Sequence, residues 1–382
     1  MKSIRHICVW SGKRGGFGAL VPTMNEITSR GHRLSVVVTD QHLYDKFGKT
    51  VQEVQQKYVI SATIDMEQRG DSNRDRARAI GVCLQKSADV LADLDPDILL
   101  VIGDRGEVFA ACIAAHNLRI AIAHVQGGDI SGSLDEPVRH AITKLAHIHF
   151  PSTMAAGERL MRMGEAVQNV HVVGDTHVDQ ILMGKITPEA VLRERYGLLD
   201  KKPFILVLQH SDSVDSENSA QQMAETIAAV RLTGLRTLLV YPCSDQGYEG
   251  IICEIEKVRD IAGFSIHKNI PASDFIGLQS IASCLVGNSS AGLIEAPYFG
   301  LPAVNIGLRQ VGREHAINVI HVPYQKEKIF LAIKRAIEDH SFIRDCKNIS
   351  PPFGDGKAYK RIVDILESTE LDSSLLNKRM TY

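Results

Sequence analysis

The chain has 382 residues, 44% hydrophobic and 23% charged, with a formal net charge of −2. Those values describe an ordinary globular chain long enough for two cores, and they exclude a global electrostatic pull toward nucleic acid or anionic membrane. Seven cysteines, none in a CxxC pair, argue against a disulfide framework or zinc site and fit a reducing cytoplasm, while no apolar run reaches the roughly 18 residues of a membrane span.

The N-terminal apolar run is also too short for a signal peptide. IRHICVW (4–10) reads as a buried strand, followed by a helix, GALVPTMNEITSRGH, ending near Gly31. RLSVVVT (33–39), DILLVIGD (97–104) and IAIAHVQGG (120–128) read as further strands, and HIHFPST and NVHVVGD close this half near residue 174. RGDSNRDRAR (69–78) reads as an exposed charge run. The pattern restarts with PFILVLQH (203–210) and the helical SENSAQQMAETIAAVRL, then RTLLVYP, FSIHKNI, SCLVGNS and AVNIG. Continuous rather than alternating apolar runs imply strands buried on both faces, hence parallel sheets flanked by helices. The expectation is α/β, two doubly wound domains facing a cleft, with ligands beyond the carboxyl ends of the strands.

Polar clusters lie at those ends. SGKRGGFG (11–18) is Gly-rich before a helix, with Lys13 and Arg14 adding charge; an anion site and a plain tight turn both account for it. It is neither GxGxxG nor a P-loop. In GDRGEV (103–108), Asp104 is placed for acid–base work or for helix capping, with Arg105 as an anion partner. HVQGGDISGSLDEPVRHAITKLAHIHF (124–150) contributes Asp129, then Asp135 and Glu136 opening a helix. Glu136, Arg139, His140 and Thr143 share a face at helical spacing. His147 and His149 are read as structural rather than metal-binding. His210, at the start of HSDS, can move a proton or donate to a phosphate. YPCSD ends another strand at Asp245, and RQVGREH offers Arg309 and Arg313 to a diphosphate. In GNSSAGLIE (287–295), small residues and Ser289 and Ser290 suit a phosphate, and Glu295, one turn further in, suits ribose hydroxyls; a Ser-capped helix is the plainer alternative.

In this order the segments KRGGFGAL, GDRGE, the 124–150 stretch, VVGDTHVD, QHSDSVDSEN, YPCSDQG and GNSSAGLIEAPYFGLPAVNIGLRQVGRE resemble the UDP-N-acetylglucosamine 2-epimerase family, and more closely its hydrolysing branch. The resemblance spans nearly the whole chain. It implies a glycosyltransferase-B-like pair of Rossmann-like domains: 1–174 carrying the sugar side and acid–base residues, 175–357 binding the nucleotide diphosphate, and 358–382 supplying a helix that packs back on the first domain. It further implies a UDP-sugar substrate, no cofactor, no metal, a cytoplasmic enzyme, and a homo-oligomer, dimer or tetramer. By matching positions, Asp104 and Glu136 would be the acid–base carboxylates and His210 would sit at the diphosphate. Arg14, Arg105 and Arg309 would contact the anion, and Ser289, Ser290 and Glu295 would hold the nucleotide. The implied reaction removes the C2 proton, expels UDP from C1 and rehydrates the glycal, which inverts C2. The default substrate is UDP-N-acetylglucosamine; UDP- or GDP-linked N,N'-diacetylbacillosamine, for legionaminic acid, is the rival, and a glycosyltransferase or a nucleotide-sugar sensor are further alternatives.

The chain departs from the family at three places. Gly16 and Phe17 stand where relatives carry an acidic residue and Tyr. Gln126 stands where they carry Glu or His, and since an amide cannot be a general base, Asp129 and Glu136 become the candidates. Cys243 stands where many have Asn. These changes bear on the sugar more than on the reaction class.

Overall fold

The continuous apolar runs become strands because each must serve two cores at once. The computed structural model describes residues 4–381. In it, β1 (His6–Ser11), β2 (Arg33–Thr39), β3 (Ala62–Ile64), β4 (Ile98–Ile102), β5 (Ala121–Val125) and β6 (Ile148–Phe150) lie parallel in the order β3-β2-β1-β4-β5-β6. Alternate side chains divide between the faces. Ile7, Val9, Ile98 and Leu100 pack on one side with the helix Arg14–Ser29, while Cys8, Trp10, Leu99 and Val101 pack on the other with the helices Asn73–Leu94 and Gly106–Asn117.

The second sheet repeats the plan. β7 (Phe204–Leu208), β8 (Arg236–Val240), β9 (Phe264–His267), β10 (Cys284–Gly287), β11 (Ala303–Ile306) and β12 (Val319–Val322) run in the order β12-β11-β10-β7-β8-β9. Counted within each sheet, both have the strand order 3-2-1-4-5-6, so each has a topological switch point, between β1 and β4 and between β7 and β10. The helix Ala358–Ser368 returns to the first sheet, burying Ala358, Ile362, Val363 and Leu366 in the core beside the helix Arg14–Ser29. Its first turn is held by Asp179, which accepts from the amides of Ala358 (3.0 Å) and Tyr359 (2.8 Å).

The structure adds to the sequence reading at three places. The sequence reading passes over β3 and β12, two short edge strands whose residues are mostly only half-buried or exposed, which blurs their apolar signal. NVHVVGD forms no strand, only a single bridge between His149 and Val170. The charge run 69–78 leads into a 22-residue helix capped by Ser72, whose side chain accepts from the Asp75 amide, and its Arg76 is buried. Among the described residues no helix is long and apolar enough to cross a membrane.

Candidate active site

The four strands flanking the two switch points end on one cleft, which opens to solvent. β1 delivers Lys13 and Arg14, β4 delivers Asp104, β7 delivers His210, and β10 delivers Ser289 and Ser290. Gln126, Arg139, Glu295, Arg309 and Arg313 complete the set of foreseen residues that line it. Asp129, Glu136, Arg105 and Asp245 lie outside the lining.

On the first-sheet side, Asp104 accepts from the Arg139 guanidinium, whose other terminal nitrogen donates to the Asp129 carbonyl (2.9 Å). Burial pushes the Asp104 carboxyl up, but Arg139, Lys13 and Arg313 together hold it well below the usual carboxylate range. It is therefore an anion at neutral pH. Arg313 binds Asp129 at 3.0 Å, and burial still leaves the Asp129 carboxyl raised. The Lys13 ammonium has no ion-pair partner among the described residues.

The helix Asp135–Leu145 turns its two leading acids apart. Asp135 lines the cleft, whereas Glu136 accepts from the Ser131 amide and stands 3.7 Å from His140. Of the two acids, the one exposed to the cleft is therefore Asp135. Arg139 and Thr143 are buried on that helix, with His140 half-exposed. His147 and His149 serve the fold: His147 Nδ1 accepts from the Ile122 amide (3.0 Å), and His149 pairs with Glu165 (2.9 Å).

On the second-sheet side His210 is fixed by its neighbours. Its ring Nδ1 accepts from the Cys243 amide (3.0 Å), and its backbone is clasped by the Asn288 side chain, which accepts from His210 N–H (2.7 Å) and donates to its carbonyl (2.9 Å). Burial first, then Arg309, Arg14, Lys13 and Arg105, push its pKa well below the ordinary value. With Nδ1 accepting, the neutral ring carries its proton on Nε2, so His210 is a hydrogen-bond donor and not a cation. Gly287 makes the Asn288 clasp possible. At φ +133° its α-carbon lies against β7, and an added Cβ would run into the Leu208 carbonyl and stand 3.0 Å from the Gln209 nitrogen.

GNSSAG departs from the expected helix-dipole cradle. The helix after it spans only Ala291–Ile294 and passes into a 3₁₀ turn, Ala296–Phe299. So short a turn carries little macrodipole. The donors it offers are hydroxyls and turn amides, with Ser289 Oγ accepting from the Ala291 amide (3.3 Å). Glu295 ends that turn, accepts from Gln279 Nε2 (2.6 Å), and has its carboxyl raised by burial.

Arg105 and Asp245 form an ion pair with each other just behind the cleft lining, where Asp245 also accepts from the cleft residue Arg309. They belong to a buried cluster in which Arg76 binds Asp40 (3.1 Å) and Glu107 (2.6 Å), Ser244 donates to Asp40 (3.1 Å), and Arg309 reaches Asp245 (3.2 Å). Arg14 also bridges the two halves, donating to the carbonyls of Tyr241 (2.7 Å) and Lys268 (2.9 Å).

Sequence reasoning did not single out Gln41, His177 or Gln310, all of which line the cleft, and it noted Asp135 only as opening a helix. Gln41 is fully buried, and neither amide atom of its side chain has a hydrogen-bond partner among the described residues. Among the described residues no group of three or more His, Cys, Asp or Glu side chains is placed to hold a metal ion.

Two facing parallel sheets with matched switch points, a fixed carboxylate on one wall and hydroxyls and guanidiniums on the other, define an enzyme of the two-domain nucleotide-sugar class. The model of the UDP-N-acetylglucosamine 2-epimerase family matches residues 25–367, and the chain belongs to that family. It is 34% identical to a hydrolysing UDP-N,N'-diacetylbacillosamine 2-epimerase of Legionella pneumophila over 99% of this chain and 100% of the relative. It is 30% identical to a UDP-N-acetylglucosamine 2-epimerase of Neisseria meningitidis over 89% of each. The crystal structure of UDP-GlcNAc 2-epimerase from Neisseria meningitidis bound to UDP-GlcNAc superposes with a TM-score of 0.80, covering 95% of this chain and all of that one at 19% identity, a likeness of fold.

Proposed function

We propose that the protein is a hydrolysing 2-epimerase of a UDP-linked 2-acetamido sugar, releasing the C2-inverted free sugar and UDP, with UDP-N,N'-diacetylbacillosamine as the substrate. The observation that carries this reading is the opposition, across one cleft, of the Asp104 carboxylate and the Ser289, Ser290 and Arg309 group. Expulsion of UDP needs fixed positive charge and donors on the diphosphate, for which Lys13, Arg309, Arg313 and neutral His210 are suited. The apolar side chains Val240, Ile270, Phe275 and Ile276 suit a pyrimidine, and Glu295 suits ribose hydroxyls.

In this reading Asp104 takes the C2 proton. The electrons of that C–H bond form C1=C2 as the C1–O bond breaks toward UDP. Water then supplies OH to C1, and C2 regains a proton on the opposite face. Residues 1–174 present Asp104 to the sugar, most of 175–357 serves the nucleotide, and the helix Ala358–Ser368 buttresses the first sheet. The 34% identity with the Legionella enzyme over the full chain favours the diacetamido sugar. UDP-N-acetylglucosamine is the second reading, favoured by the Neisseria relative.

Incubation with each UDP-sugar in deuterated water, followed by proton NMR, tests this. The expected result is free UDP and a manno-configured sugar deuterated at C2, faster from the diacetamido substrate. An intact epimerised nucleotide sugar would move the chain to the non-hydrolysing branch. Nucleotide release only with an added acceptor would make it a transferase, and no turnover on either sugar would overturn the proposal.

A further inference from the structure

Inversion at C2 needs proton transfer on both faces of the sugar, so one carboxylate is not enough. Gln126 lines the cleft, but an amide cannot serve as a general base. It has a positive φ of 64° and lies at the end of β5, on the cleft wall. Its Nε2 donates to Asp175 Oδ2 (2.8 Å) and lies 3.1 Å from the ring Nδ1 of His177. The same Asp175 holds that ring, with Oδ1 2.8 Å from His177 Nδ1 and 2.9 Å from its backbone nitrogen, while Ser152 Oγ donates to Oδ2 (2.8 Å). Asp175 is fully buried, and its four partners fix both its oxygens. The His177 side chain keeps 19% of its surface open and lines the cleft. Its Nε2 has no partner among the described residues.

We infer that His177, oriented by Asp175, is the second proton-transfer residue of this site, acting from beside Gln126. This assignment rests on the 2-epimerase reading above. In the rehydration half-reaction, Nε2–H of the imidazolium gives its proton to C2. The C1=C2 electron pair becomes the new C2–H bond, the oxygen of water bonds to C1, and the proton it sheds returns the ring to its charged form. Asp104 on the other face is the base of the first half-reaction. The electrostatics agree with this division. Burial alone would lower the His177 pKa, but the Asp175 carboxylate, seconded by Glu295 and opposed by Lys13, raises it, while Asp104 is held low. Two titrating groups driven apart in this way are what an acid and a base in one site require. Asp175 and Gln126 are positioning residues, since they act through the ring.

The test compares the parent enzyme with His177→Gln on the better of the two UDP-sugars. The expected loss of turnover is about 100-fold or more. UDP affinity and melting temperature should stay near those of the parent, and the unsaturated 2-acetamido glycal should appear as a released product, because elimination outruns reprotonation. Asp175→Asn should keep part of the activity and move the alkaline limb of the kcat profile down by about one pH unit, since the imidazolium loses its counter-charge. Gln126→His placed in the His177→Gln background should recover at least part of the lost rate, an outcome a merely structural histidine would not give. Turnover by His177→Gln within about threefold of the parent, or a loss that shows neither glycal nor rescue, overturns the assignment. An active parent leaves the 2-epimerase reading standing in either case, whereas a parent inactive on both sugars removes that reading and this assignment with it.

Discussion

Two ion clusters lie at the junction of the sheets, built from the same residue types and put to different uses. In one, Arg139 holds Asp104 and Arg313 holds Asp129; Asp104, Arg139 and Arg313 line the cleft, where a ligand can compete for them. In the other, Arg76, Asp40, Glu107, Arg105 and Asp245 pair with one another beneath the cleft wall, every side chain at most 9% exposed. The first is a site because its charges are incompletely spent. The second is a seam, joining the strand ends of one sheet to Ser244 and Asp245 of the other. Composition alone cannot tell these apart; access to the cleft does.

The sharpest way to break the comparison is to remove one charge from each cluster and read different quantities. Asp104→Asn keeps the shape and a hydrogen-bond acceptor for Arg139 but removes the base. Turnover should fall on the order of 10³-fold, with UDP affinity nearly unchanged in a titration. Equal losses of turnover and UDP affinity would mean that Asp104 serves binding and not proton transfer. Arg76→Met should do the reverse. It leaves Asp40 and Glu107 short of a buried counter-charge, a loss of about 3 kcal/mol in unfolding free energy, read by denaturant titration. The surviving folded enzyme should keep a kcat close to the parent's, because Arg76 does not line the cleft. An Arg76→Met protein of unchanged stability would deny that the seam is structural.

The site strand ends were legible because an apolar run that stops at Gly, Asp, Ser or His announces a strand terminus, and the doubly wound fold gathers such termini at one edge. That logic found Asp104, His210, Ser289 and Ser290. It could not find what depends on side-chain direction after folding. Asp135 and Glu136 are adjacent acids, and only the loop amide of Ser131 decides which one faces the cleft. Arg76 sat in a charge run that reads as solvated, yet its partners are 36 and 31 residues away. Arg105 and Asp245, 140 residues apart in the chain, pair with each other behind the cleft lining, a contact the sequence does not show. The contact between Gln126 and His177 joins positions 51 apart, so the departure at 126 was visible while its replacement was not.

The smallest effect separates the two walls of the cleft itself. Glu295 accepts from Gln279 and has a carboxyl raised by burial, so it carries an ionisation cost that a ribose with two hydroxyl donors would relieve. Glu295→Gln retains the shape but exchanges one acceptor oxygen for a donor amide. UDP should then bind about tenfold more weakly, roughly 1.4 kcal/mol, measured by calorimetry with UDP alone. KM should rise with it while kcat stays within about twofold, the signature of binding lost equally from ground and transition states. A fall in kcat with unchanged KM would place Glu295 with Asp104 in the chemistry, and the division between a nucleotide wall and a sugar wall would no longer hold.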